Sequence, residues 1–194
     1  MKTETIRLKK YHQLIKQGDA LKNLFILKSG SIKEVSINED GSSFITKFHF
    51  KGDVLGLNSI DLEYHPTSFL TLEDTIVEKF NFQELLSNSV SFHYFFTKMS
   101  ESVTEYTIRK RVFTQKSEVK ISSLLLELFN KNPDSPDYFN MSMTREDIAN
   151  HLGLSEFTVS RILSKLQKES IIEIKAKSRS IKLIDKKKLE NRSL

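Results

Sequence analysis

The spacing of apolar positions changes character along the chain. From about Leu14 to Phe82 they come in short runs, Leu24–Leu27, Ile32–Ile37 and Phe44–Phe50, separated by Gln17-Gly18-Asp19, Ser29-Gly30, Asn38-Glu39-Asp40-Gly41 and Lys51-Gly52-Asp53. Strand-length runs with turn residues at this interval predict a small antiparallel barrel or roll. Beyond it Phe92, Met99, Tyr106 and Phe113 recur every seven residues, with Phe96, Val103 and Lys110 as the interleaved series. Two such series predict a helix with an a/d seam. A second helix is expected over Glu118–Phe129. Asn130–Asn140, with Pro133 and Pro136, reads as a loop.

From Arg145 to Ser164 the period is helical, with helix-turn-helix spacing. Small Ala149 allows a second helix close approach, and Gly153 can take the positive φ of a sharp turn. Apolar Ile148, Leu152, Leu154, Val159 and Ile162 complete seven constrained positions, more than an ordinary amphipathic helix pair needs. Thr144 and Ser155 stand where the two helices need N-caps, and Glu146-Asp147 and Glu156 suit the positive end of each dipole. Val159 and Ile162 face back onto the first helix, so Phe157, Ser160, Arg161 and Ser164 face outward, as a major-groove reader requires. After Lys168 the pattern alternates. Ile171–Ile174 and Ser180–Ile184 read as two short strands joined by the basic turn Lys175–Arg179, which lacks glycine and asparagine. Together these elements predict a winged helix-turn-helix.

Charge points to the same partner. The 194 residues carry a net charge of only +5, but residues 161–194 hold eleven Lys/Arg against four Asp/Glu. That end is therefore +7 and the remainder −2, a distribution suited to double-stranded DNA. Glu156, Phe157, Ser160 and Arg161 are the candidate base contacts. Thr144, Ser155, Thr158, Ser164, Lys165, Lys177 and Arg179 are the candidate phosphate contacts, with Lys168 beside them. Lys186-Lys187-Lys188 reads equally well as a solvated tail.

Composition narrows the remaining classes. The chain has no cysteine, so neither disulfide nor thiolate chemistry is available. No segment has the length and apolarity of a membrane span and no signal peptide opens the sequence, so a cytoplasmic protein is expected. His12, His49, His65, His93 and Asp53 show no HxxxH or comparable ligand spacing, and no cofactor or metal is expected. No nucleophile–base pair or phosphate loop supports an enzyme. The competing reading is a ligand-sensing module whose DNA reader is vestigial, which leaves Arg161 and the basic face idle.

The seam has two readings of its own: packing on the chain's roll, or against a second copy through Phe92, Phe96, Met99, Val103 and Tyr106. The homodimer is preferred, because a long seam needs a partner of comparable length. It also presents two readers to successive turns of a palindromic site.

The order of parts, with LFILKSGSIKEV (24–35), Gly41, Gly52-Asp53, Gly56 and MTREDIANHLGLSEFTVSRIL (143–163), resembles the Crp/Fnr transcription regulators over nearly the whole chain. ITKFHFKGDVLGLNSI and HPTSF are most similar to the FNR branch. The resemblance implies an α+β fold. A cyclic-nucleotide-binding-like β-roll (1–90) is followed by a dimerisation helix (91–114) and a winged helix-turn-helix domain (115–194, with the helix-turn-helix at 145–164). It implies RNA polymerase as a further partner.

Three departures qualify the resemblance. Cyclic-nucleotide binders of the family place a ribose-binding glutamate after the glycine matching Gly56, and an Arg-Ser pair on the phosphate; here stand Leu57 and Thr67-Ser68. Binding of cAMP is therefore not expected, since no arginine neutralises a phosphate in a partly buried pocket. The FNR branch holds an iron–sulfur cluster on cysteines, mainly in an N-terminal extension; this chain has none, and Met1 lies close to the first strand, so no such cluster is expected. The family's recognition helix carries glutamate where Phe157 stands, so base preference beside the Arg161 guanine is expected to differ.

Overall fold

The computed structural model describes residues 4–60, 62–81, 89–131, 137–175 and 179–193, the side chains of 89–92 excepted. They form two compact units, Met1–Tyr106 and Thr107–Leu194.

The first unit holds β1 (Glu4–Leu8), β2 (Gln13–Ile15), β3 (Asn23–Ser29), β4 (Ile32–Ile37), β5 (Ser43–His49), β6 (Val54–Leu55), a 3₁₀ turn (Leu57–Ser59), β7 (Ser68–Thr71) and β8 (Thr75–Asn81). They build two four-stranded antiparallel sheets, ordered β1-β8-β3-β6 and β2-β7-β4-β5. Inward side chains, among them Leu8, Phe25, Leu27, Ile32, Phe69 and Val77, make one apolar cluster. The roll thus begins earlier than the apolar runs indicate: β1 pairs along β8 from Glu4↔Lys79 to Leu8↔Thr75. At Gly30, φ is +88° and an added Cβ would come 2.5 Å from Thr75 Oγ1, so only glycine fits this turn.

α1 (Ser89–Phe113) contains the predicted seam and spans the boundary between the units. Phe95 is its contact with the roll, 3% exposed among Leu24, Val54 and Leu57, with its ring edge-on to Phe80 at 6.1 Å. Lys47 on β5 adds an ion pair to Glu105 at 2.6 Å. Phe96, Met99, Val103 and Tyr106 are exposed, Val103 by 63% and Tyr106 by 68%. The Phe92 side chain lies outside the described residues.

The second unit holds α2 (Ser117–Asn130), β9 (Tyr138–Asn140), α3 (Arg145–Leu152), α4 (Glu156–Lys168), β10 (Ile172–Lys175), β11 (Ser180–Leu183) and α5 (Lys186–Arg192). Ile121, Leu125, Leu128, Ile148, Leu163 and Leu166 are buried here. One sequence expectation is corrected. The segment read as a loop to Asn140 ends in a strand, β9, which pairs with β11 to make the wing three-stranded. The run Lys186-Lys187-Lys188, exposed to solvent, opens a helix, α5, capped by Asp185 accepting from Lys188 N at 2.9 Å and anchored by buried Leu189. Pro133, Pro136 and Lys177 lie outside the described residues.

Candidate nucleic-acid interface

The reader is built by local signals. Thr144 and Asp147 form a capping box: Asp147 N donates to Thr144 Oγ1 at 3.0 Å, and Thr144 N donates back to Asp147 Oδ2 at 2.8 Å. Thr144 Oγ1 also donates to Asp147 Oδ2, at 2.9 Å, so both hydrogen-bond donors of this candidate phosphate contact are engaged in the cap. Gly153 ends α3 with φ 63° and ψ 44°, the left-handed geometry predicted for the turn, and Ala149 is buried. Ser155 caps α4 by accepting from Thr158 N at 3.1 Å, and its Oγ lies 2.9 Å from Thr158 Oγ1. The first turn of α4 therefore presents its N–H end with two hydroxyls beside it.

α4 buries Val159, Ile162, Leu163 and Leu166. Its opposite face carries exposed Glu156, Phe157, Arg161, Ser164, Lys165 and Lys168, with Ser160 half-buried among them. Phe157 is 77% exposed, a cost in hydrated apolar surface that an isolated domain gains nothing from. Lys165 is not simply solvated: its Nζ donates to Glu118 Oε2 at 2.7 Å. Glu118 also pairs with Arg192, whose other guanidinium nitrogen reaches Glu169 at 3.0 Å, so this cluster ties α2, α4 and α5 together. The pairing holds the Glu118 carboxyl below its ordinary range, through the Lys165 hydrogen bond first. Arg179 is exposed at the wing turn with φ 50°; the turn without glycine thus places an arginine in the left-handed region. Its carbonyl accepts from Met141 N at 2.7 Å.

Sequence reasoning missed Lys120. It lies on the apolar face of α2, buried, and donates through Nζ to Leu152 O at 3.2 Å at the C-terminal end of α3. The same ammonium stands 4.4 Å from the centroid of the Phe113 ring. A cation among Ile121, Leu124 and Leu128 was the available signal.

In the roll, the positions that depart from the cyclic-nucleotide pattern are occupied from within. Leu57 is buried against Leu24, Val54 and Phe95. Thr67 Oγ1 donates to Glu34 Oε1 at 2.7 Å, and Ser68 Oγ accepts from Gln17 N at 2.9 Å. Asn58 Nδ2 donates to the same Glu34 oxygen at 2.8 Å, and His49 Nε2 to Oε2 at 2.9 Å. Burial raises the Glu34 pKa, but the His49 bond and charge, Thr67 and Asn58 outweigh it and bring the carboxyl to about 2.

Residues 119–192 match the Crp-like helix-turn-helix domain family and residues 5–88 the cyclic nucleotide-binding domain family. The chain belongs to the Crp/Fnr family of transcription regulators, with a helix-turn-helix DNA-binding domain. It is 34% identical over 187 residues to the electron transport regulator A of Shewanella oneidensis, covering 88% of this chain and 71% of that protein. It is 31% identical over 178 residues to the fumarate and nitrate reduction regulatory protein of Escherichia coli K12, with the same two coverages. In fold it is similar to FixK2 from Bradyrhizobium japonicum, with a TM-score of 0.89 at 21% identity over 100% of this chain and 98% of that one. A CRP-family transcriptional regulator from Thermus thermophilus gives 0.78 at 18% identity, over 97% and 96%. Among the described residues no helix is long and apolar enough to cross a membrane.

Proposed function

We propose that the chain is a cytoplasmic, non-enzymatic regulator that binds a palindromic promoter site as a homodimer and from there recruits or blocks RNA polymerase. The observation that carries the DNA reading is the division of α4: one face is buried in the domain, the other offers Phe157 and Arg161 to a groove. Arg161 reads a guanine through O6 and N7, Phe157 packs on a thymine methyl, and Glu156 and Ser160 flank them. Ser155, Thr158, Ser164, Lys168, Lys177 and Arg179 lie along the phosphates. Thr144, whose two donors are held in the cap, and Lys165, one of whose N–H groups meets Glu118, take the smaller share of the phosphate contact.

The exposed row Phe96, Met99, Val103 and Tyr106 supports the dimer, Phe92 being its first member in sequence. Water-exposed apolar residues at a/d spacing gain most by meeting their own copies. The sensor-like roll (1–90), seam helix (91–114) and reader (115–194) then have separate tasks. The test is a mobility-shift assay with promoter fragments chosen by genome-wide mapping of binding sites, at two salt concentrations. Affinity should exceed that for random DNA at both and fall steeply with salt. Equal affinity for promoter and random DNA would end the reading.

A further inference from the structure

Glu34 presents an unusual arrangement for a charged residue. Its two-residue period on β4 places it on the same inward face as Ile32, with 5% exposure, inside the sheet sandwich. Three donors from three separate segments converge on its carboxylate: His49 on β5, Asn58 in the 3₁₀ turn and Thr67 just before β7. His49 Nδ1, buried with no hydrogen-bond partner among the described residues, lies 3.8 Å from Asp53 Oδ2. Burying one carboxylate is costly unless its lone pairs are met. Here they are met by a set that, with the carboxylate removed, is an anion hole: a hydroxyl and an amide aimed at one oxygen and an imidazole at the other, in a buried site.

That site is where ligand chemistry would otherwise enter. Thr67 holds the position of the arginine that the resemblance assigns to a cyclic phosphate, and Leu57 that of the ribose-binding glutamate. Leu57 is committed to Phe95 and its neighbours. We propose that the Glu34 carboxylate is a built-in anion, taking the donors a phosphate ligand would use, so that the roll is complete without a nucleotide.

Three readouts on the full-length chain test this, and none involves DNA, so they stand or fall apart from the function assigned to α4. Glu34→Ala should melt lower than wild type, and sodium formate, a carboxylate small enough for the vacated site, should raise its midpoint more than that of wild type. Parallel shifts in the two proteins would overturn the proposal. Glu34→Gln, which keeps the shape and removes the charge, should lower the midpoint by at least about 5 °C; a midpoint equal to wild type would sink the idea even if Glu34→Ala fails to fold. Wild type should show no thermal shift with cAMP, cGMP or inorganic phosphate. Stabilisation by any of the three means the donors are still open to a ligand.

Discussion

The ring of Phe113, the last residue of α1, lies 3.2 Å from the point where a β-carbon on Gly153 would sit. The turn of the helix-turn-helix therefore has two reasons to hold glycine: its φ of 63°, and an aromatic ring pressed against it. Lys120 closes the arrangement by stacking on the same ring while it holds Leu152 O. Gly153→Ala should destabilise the second unit by about 1–2 kcal/mol from backbone strain alone, with a further penalty from the ring. In a double-mutant cycle with Phe113→Ala, the ring's share should vanish and the strain remain, giving less than additive loss in urea unfolding. Strict additivity would mean that the ring gives way freely.

The acid sensitivity of the roll should trace to Glu34. Its pKa in the fold, about 2, is below its ordinary 4.5, so it contributes stability that is complete above about 4.5 and is lost as pH falls towards 2. The difference corresponds to about 3 kcal/mol. Chemical denaturation of wild type and Glu34→Gln should show a gap that closes as pH falls through this window. Asp40, Asp74, Glu118 and Asp185, also lowered, titrate in both proteins and cancel in the difference. A gap that stays constant down to pH 2 would show that the charge of Glu34 is not what the donors stabilise.

What could be read from the sequence was local. The N-caps at Thr144 and Ser155, the turn at Gly153 and the bounds of β4 at Ile32 and Ile37 each depend on neighbours within a few residues. β9 was hidden because three residues after a proline-containing stretch become a strand only by pairing with β11, 42 positions away at the Tyr138–Ser180 hydrogen bond. α5 was hidden because one buried leucine behind three lysines shows no period. Glu34 was visible as a charge of inward parity, but its donors lie 15, 24 and 33 residues further on. The pairing of Lys165 with Glu118 was hidden for the same reason, the two being 47 residues apart.

The dimer is tested at Val103. Val103→Asp should bring two carboxylates together at a seam that is desolvated on assembly, where like charges oppose association. Light scattering should give a dimer mass for wild type at micromolar concentration and a monomer mass for the variant. Because Val103 is 63% exposed in the single chain, the fold itself should be little changed, and circular dichroism should show this. A monomeric wild type would remove the dimer from the reading.

The wing separates charge from conformation. Arg179 takes a φ of 50°, which asparagine accepts more readily, so Arg179→Asn should keep or slightly raise stability while removing a cation. It should weaken binding to specific and random DNA alike and lower the salt slope by roughly one unit. Weakening confined to the specific site would place Arg179 on a base.

The recognition helix gives the most discriminating test. Arg161→Ala should cost about 1–3 kcal/mol on the specific site and relax preference at one guanine, leaving random DNA little affected. Phe157 differs in kind: at 77% exposure it is available to the groove, and its ring offers no acceptor for cytosine N4. Phe157→Glu supplies that acceptor on the first turn of α4, where the dipole and the Ser155 cap favour a carboxylate, so stability should not fall. If Phe157 sets the half-site, selection of random oligonucleotides should move from a thymine contact to a cytosine beside an unchanged guanine. An unaltered selected sequence would mean that Phe157 does not meet the bases, and that α4 enters the groove at another angle.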